Sequence, residues 1–160
     1  MRRFIFTFAA VMNLLVVDQA VKAVAMARLK GGPPVTVLDG LFNLAYVENR
    51  GCAWGMFQGH VWPLAAFGLV ALAFILWKHR SIFPPGMAGA IAEVTLYAGI
   101  LGNLIDRLWL GCVVDLFDFH WGPHHFPCFN EADICINVAA GLLILTSFRA
   151  RKPEDAGDPA

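Results

Sequence analysis

Two carboxylates in apolar surroundings are the clearest chemistry this chain offers. Asp115 lies in Val113-Val114-Asp115-Leu116-Phe117, bracketed by bulky apolar neighbours, and Asp133 follows in Asn130-Glu131-Ala132-Asp133. Two nearby carboxylates cannot both ionise, so they share a proton; such a pair can activate water with one group and protonate a carbonyl with the other. Nucleophilic catalysis finds little support, because the only serines, Ser81 and Ser147, fall at the other ends of the apolar segments. His120, His124, His125, Cys112 and Cys128 are close along the chain, but their spacing fits no familiar zinc pattern, so no metal is expected. The four cysteines, Cys52, Cys112, Cys128 and Cys135, form neither a CxxC pair nor a disulfide framework.

Other polar residues sit where an apolar chain can least accommodate them: Asp18, Lys22, Asn103, Asp106, Arg107 and Asn130. Four of them have a plainer reading. Asp18 and Lys22 are spaced i,i+4 and could simply neutralise each other. Arg107 could extend toward lipid headgroups. Asn130 with Asp133 three residues on has the form of a helix cap.

The elements that must carry these residues follow from composition. The chain has 160 residues, 58% hydrophobic and only 15% charged, against roughly 25% charged in an average soluble domain, and its mean hydropathy is +0.61. A disordered chain has the reverse composition, and a soluble globule could not cover so much apolar surface with so few charges. Twelve basic and twelve acidic residues cancel, so nothing in the charge calls for nucleic acid. Apolar stretches run over about 4–27, 61–77, 87–110 and 132–148, each near the ~20 residues that carry a helix across ~30 Å of hydrocarbon. Residues 1–150 therefore read as one integral-membrane domain, and 151–160 as a polar cytoplasmic tail expected to fray. The start, Met1-Arg2-Arg3 with an apolar run and Ala23-Val24-Ala25, also has the form of a cleavable signal peptide, although Asp18, Gln19 and Lys22 are foreign to one.

With the N-terminus inside, the inner segments hold seven Lys/Arg and the outer loops three. The positive-inside rule then places both termini in the cytoplasm and residues 28–60 and 111–130 outside. Val35–Leu38 and Phe42–Val47, around the turn signal Asp39-Gly40, read as two short strands. Gly51 to Phe57 is expected to lie as a short amphipathic helix at the interface, with Trp54 near the headgroups. In this arrangement the polar residues collect at one depth near the outer face, while Glu93 alone interrupts the inner halves. An ionisable group in a span costs ~2.5–3.5 kcal/mol on insertion scales, so a cluster at one depth indicates a functional pocket.

At this point the residues match a family. Asp18-Gln19-Ala20-Val21-Lys22, Asn49-Arg50-Gly51-Cys52-Ala53-Trp54-Gly55, Gly102-Asn103-Leu104-Ile105-Asp106-Arg107 with Gly111-Cys112-Val113-Val114-Asp115, and Phe129-Asn130-Glu131-Ala132-Asp133 occur in the family's order. Over nearly its whole length the chain resembles the lipoprotein signal peptidase (signal peptidase II) family. The resemblance implies an aspartyl endopeptidase of the bacterial plasma membrane that removes the signal peptide of prolipoproteins just before a diacylglyceryl-modified cysteine, without a cofactor. It implies an all-α, four-transmembrane-helix bundle with a small extracytoplasmic β cradle and an interfacial helix, acting as a monomer among membrane lipids. Carried over by motif, Asp115 and Asp133 are the catalytic dyad. Asn49, Gly51, Asn103, Arg107 and Asn130 bind or surround the substrate, with Asn49 and Arg107 expected to hold its backbone, and Asp18 and Lys22 support them. Asp115, amid apolar neighbours, is the acid expected to hold the proton. Cys52, Trp54, Glu131 and Ile134 depart from the family's usual residues, which bears on substrate fit and pH profile rather than on the reaction. A proton-coupled transporter would be expected to carry polar groups through to the inner face, and an intramembrane protease of the presenilin type would carry Gly-x-Gly-Asp; neither pattern is present.

Overall fold

The computed structural model describes residues 2–150; the polar tail expected over 151–160 lies outside them. In chain order the elements are α1 (Arg2–Leu29), β1 (Val35–Leu38), β2 (Phe42–Asn49), a 3-10 turn (Ala53–Gly55), α2 (Val61–Trp77), α3 (His79–Ile82), α4 (Met87–Leu110), β3 (Val113–Trp121), β4 (His124–His125) and α5 (Glu131–Ala150). Long apolar runs give the helices, and glycine punctuates them. Gly86 precedes α4 at φ 100, and Gly111 closes it in the left-handed conformation that ends many helices. Among the described residues, three helices are long and apolar enough to cross a membrane: Arg3–Leu29, Met87–Leu110 and Glu131–Phe148. The expected span at 61–77 is an apolar helix of 17 residues, roughly 25 Å long at ~1.5 Å per residue.

Helix α4 is central. It packs most extensively on α5, then on α1 and α2. Two glycines permit the close approach of α4 to its neighbours, Gly99 against α5 and Gly102 against α1. A Cβ on Gly99 would come within 2.5 Å of the Ala132 carbonyl oxygen, and one on Gly102 within 2.6 Å of the Asp18 carboxylate. Small residues at a helix crossing serve membrane bundles in this way.

The strands form one antiparallel sheet, β1-β2-β3-β4, at the end of the bundle where α1 and α4 finish and α2 and α5 begin. The two expected strands are present, and β2 runs on to Asn49. Strand β3 falls in the segment expected as an outer loop; paired with β2, it sets Asp115 opposite Val47. The helix expected from Gly51 to Phe57 is instead a three-residue 3-10 turn. Trp54 and Phe57 take φ of 62 and 57, and Gly55 and Gly59 are also positive; a right-handed helix has no room for such residues.

The interior is divided. Away from the sheet, Val11, Phe83, Ala92, Tyr97, Ala98 and Ala139 form an apolar core. Beneath the sheet a cluster of polar residues, Asp18, Lys22, Asn103, Asp106, Asp115 and Asn130, is buried among apolar neighbours that include Leu104, Val113, Val114, Leu116 and Ala132. The outside is the reverse, with Phe4, Phe6, Phe67, Trp77, Trp109 and Phe148 among many exposed apolar side chains. A lipid surrounding accounts for both.

Candidate active site

Four elements converge beneath the sheet. Strand β3 delivers Asp115, the end of β2 Asn49, the last turns of α4 Asn103 and Arg107, and the first turn of α5 Asp133 with Asn130 as its cap. The capping reading of Asn130 and Asp133 holds. The Asp133 N–H donates to Asn130 Oδ1 at 3.0 Å, and the Asn130 N–H to Asp133 Oδ2 at 3.3 Å. This reciprocal box satisfies donors that a helix start leaves free.

The same side chains also join the two acids. Asn130 Nδ2 donates to Asp115 Oδ1 at 2.7 Å and to Asn103 Oδ1 at 3.2 Å. Asn103 Nδ2 donates to Asp133 Oδ1 at 2.7 Å. Asp115 and Asp133 are therefore linked through two asparagine amides, with Asn130 touching both. Asn49 Nδ2 donates to the second Asp115 oxygen at 2.9 Å, and its own carbonyl accepts the Gly51 N–H at 2.9 Å. Asn49, expected to hold substrate backbone, thus has both ends of its amide engaged within the protein. Arg107 donates to the Gly51 carbonyl at 3.0 Å and to the Asn103 carbonyl at 3.4 Å. Gly51 cannot be larger, because a Cβ there would collide with the Met56 carbonyl oxygen.

Burial pushes the Asp115 carboxyl up to about 7, reinforced by the charge of Asp133 and opposed by the Asn49 and Asn130 hydrogen bonds. It can hold a proton at neutral pH. Cys128, beside Asp115, is raised to about 11, mainly by burial, so it is no nucleophile there.

The acids border different spaces. Asp133, Asn103, Arg107 and Asn49 line a cavity of about 1320 Å³ whose walls are otherwise mostly apolar, from α2 (Leu64, Phe67, Ala71), α4 and α5. Asp115 borders a second cavity of about 160 Å³, with Glu48 and Gln58. Asn49, Cys52, Trp54, Pro127 and Cys128 line both and stand between them. Trp54 meets Phe126 edge-on at 5.6 Å.

Asp18 and Lys22 lie behind the acids rather than among them. Lys22 Nζ is 3.0 Å from Asp18 and 2.9 Å from Asp106. Gln19 and Asp106, to which the sequence assigns no role of their own, complete this group: the Gln19 amide reaches both Asp18 and Asp106. The histidines lie along the sheet: His125 Nδ1 is 2.7 Å from Asp118 and stacks on His120 at 5.0 Å. Burial alone would raise Asp118, but the His125 and Asn43 hydrogen bonds outweigh it and hold it below the usual value. Among the described residues, no group of three or more His, Cys, Asp or Glu is arranged to hold a metal ion. Glu93 sits at the opposite end of the bundle, paired with Arg3 at 3.2 Å and His79 at 2.9 Å.

Comparison with known proteins bears on this arrangement. Residues 10–149 match the model of the family described as signal peptidase (SPase) II. The lipoprotein signal peptidase of Syntrophotalea carbinolica is 36% identical over 139 residues, covering 85% of this chain and 86% of that one. That of Fusobacterium nucleatum is 38% identical over 143 residues, covering 89% and 84%. That of Pasteurella multocida is 41% identical over 122 residues, covering 71% and 72%. Two solved structures, each titled as a bacterial membrane enzyme determined by the in meso method, share the fold. One has a TM-score of 0.84 at 24% identity, covering 97% of this chain and 94% of its own. The other has a TM-score of 0.78 at 26% identity, covering 90% and 93%.

Proposed function

This chain belongs to the signal peptidase II family, bacterial membrane peptidases that remove signal peptides from prolipoproteins, and from that premise we propose that it cleaves with Asp115 and Asp133 as an aspartate dyad. The observation that carries the proposal is Asn130, whose side chain donates to the Asp115 carboxylate and to Asn103 while its backbone N–H donates to the Asp133 carboxylate, so that with Asn103, which donates to Asp133, it makes the acids one hydrogen-bonded unit. Asp115 holds the shared proton, in keeping with its elevated pKa of about 7. Asp133 takes a proton from water, which attacks the scissile carbonyl as Asp115 donates to the carbonyl oxygen. The tetrahedral diol then collapses. Asp133 gives its proton to the nitrogen of the lipidated cysteine and Asp115 takes one from a diol hydroxyl as the carboxyl product forms and the C–N bond breaks, so the dyad returns to its singly protonated state with the proton on Asp115. Asn49 and Asn130 keep the Asp115 carboxyl aimed, and Arg107 ties the Gly51 loop to α4.

The substrate is a prolipoprotein whose cysteine bears diacylglycerol. The apolar cavity between α2, α4 and α5 suits a signal helix and acyl chains, with Asp133 at its polar end. The chain crosses the membrane four times as a monomer, both termini in the cytoplasm and the sheet outside. Exposed Trp62 and Trp109 at the sheet end of the helices and Trp77 at the other suit the two interfaces. Lipid anchoring holds the cysteine at the depth of the acids, since each buried CH₂ contributes ~0.8 kcal/mol, and turns cleavage into a near-unimolecular encounter.

The test is purified enzyme with matched substrates, one diacylglyceryl-modified and one with a bare cysteine. Cleavage of the lipidated form alone is expected; equal cleavage of both would refute the lipid-dependent reading.

A further inference from the structure

Behind the acids lies a second buried polar cluster, made of Asp18, Gln19 and Lys22 from α1 and Asp106 from α4. It touches neither Asp115 nor Asp133 by side chain. Its reach is to the backbone. Asp18 Oδ1 accepts the N–H of Ala132 at 3.1 Å, the residue just before Asp133. Asp106 Oδ2 accepts the N–H of Val114 at 3.2 Å, the residue just before Asp115. The two carboxylates are then bound to each other twice. Lys22 Nζ lies 3.0 Å from Asp18 Oδ2 and 2.9 Å from Asp106 Oδ2. Gln19 Nε2 donates to Asp18 Oδ2 at 3.1 Å and to Asp106 Oδ1 at 2.9 Å.

We infer that this Lys22-centred cluster is a positioning clamp, which sets the spacing of the two catalytic aspartates by holding the peptide N–H that precedes each. The inference rests on the dyad reading above and extends it to residues that never meet the substrate. Stability alone is a weak reason for such a cluster, because burying charges offsets much of their attraction, and apolar side chains of similar volume commonly serve as well. Apolar side chains could not accept the N–H groups of Ala132 and Val114. Asp115 and Asp133 also belong to different elements, a strand and a helix; backbone bonds tie β3 to the segment before α5 on one side of the acids, at Leu116, Phe117 and Phe129, and the cluster ties the two elements on the other, at Val114 and Ala132. A rigid cross-link between them has a specific use, since a displacement of ~1 Å at reacting groups costs on the order of 10²-fold in rate. Gly102 serves the same end by leaving room for the Asp18 carboxylate against α4.

The experiment measures kcat, KM and the thermal unfolding midpoint in detergent, on a lipidated peptide substrate, for Gln19→Met, Asp106→Asn and Lys22→Met, with Asp115→Asn alongside. Gln19→Met removes one bridge and keeps the volume; Asp106→Asn keeps an acceptor for Val114 and removes the ion pair. Expected are a kcat lowered about fivefold in Gln19→Met and ten- to a hundredfold in Asp106→Asn, with KM within twofold of wild type. Lys22→Met leaves two carboxylates without their cation and is expected to lose at least as much; if it does not accumulate folded, the other two variants decide. Once Asp106→Asn is in place, adding Gln19→Met should lower kcat little further. Wild-type kcat in folded Gln19→Met and Asp106→Asn, or losses confined to KM or to the unfolding midpoint, would overturn the clamp while an inactive Asp115→Asn leaves the dyad standing. An active Asp115→Asn would remove the dyad and the clamp together.

Discussion

Replacing Asn49 by alanine tests the placement of the proton on Asp115. Asn49 donates to Asp115 Oδ2 at 2.9 Å, and that bond favours the charged carboxylate, opposing the burial that lifts its pKa to about 7. Losing the bond must therefore move the pKa further up. A hydrogen bond to a charged group contributes ~1.5–3 kcal/mol, and one pH unit corresponds to ~1.4 kcal/mol, so the shift is about one unit or somewhat more. If Asp115 must be protonated to act, kcat/KM for the wild type falls above pH 7, about tenfold per unit. In Asn49→Ala that basic limb moves to about pH 8 or higher, even though the maximal rate drops because Asp115 is less well aimed. The assay is kcat/KM across pH 5–10 with a lipidated fluorogenic peptide. A basic limb that stays in place, or moves to lower pH, would mean that Asp115 is not the group whose proton is required. The same shift predicts a stability profile. The folded pKa, about 7, lies above the ordinary 3.8, so the contribution of this group is complete below pH 3.8 and is lost as pH rises through 7. The isolated Asp115→Asn protein, which cannot ionise there, should lose less stability over that window than wild type.

Three other outcomes follow from the same geometry. Asn130→Ala removes the cap of α5 and the bridge between the acids together; cleavage should fall at least 10²-fold, and the unfolding midpoint should drop in line with the ~1 kcal/mol typical of a lost cap. Gly102→Ala sets a Cβ 2.6 Å from the Asp18 carboxylate and should destabilise by ~1–3 kcal/mol, whereas Gly141→Ala, with open space around it, should be near neutral; equal unfolding midpoints for the two would contradict the packing described. Reporter fusions at residues 40, 82 and 120 should read outside, inside and outside, and a cytoplasmic signal at 120 would put Asp115 on the wrong side.

The helices were legible because hydropathy over a long window is a strong signal: the runs at 61–77 and 87–110 coincide with α2 and α4. The polar residues were legible too, since charge inside an apolar run has few uses. What the sequence concealed is structure set by tertiary pairing. Strand β3 reads Val-Val-Asp-Leu-Phe-Asp-Phe-His-Trp; Phe117 to Trp121 alternate apolar and polar, but Val113 to Leu116 are all buried, so the period-two alternation that marks a half-exposed strand is missing around Asp115. The segment after Asn49 has the composition of an interfacial helix, but the backbone bonds from Cys52 N–H to the Met56 carbonyl and from Gly59 N–H to the Arg50 carbonyl, with the positive φ values at Trp54 and Phe57, impose a tight loop. Asp18 with Lys22 was readable as an i,i+4 pair, whereas their third partner, Asp106, lies 84 residues from Lys22 on another helix, a distance that local spacing cannot reveal.

The most direct measurement is the cleavage rate of lipidated substrate by purified, folded Asp115→Asn and Asp133→Asn enzymes, each against wild type and against the double variant. Each acid–base role is worth ~10²–10⁴ in rate, and groups that act as a unit are not additive. The dyad predicts that each single variant falls by at least 10²-fold while still binding substrate, and that the double variant is little worse than the poorer single. A wild-type rate in either folded single variant would contradict it.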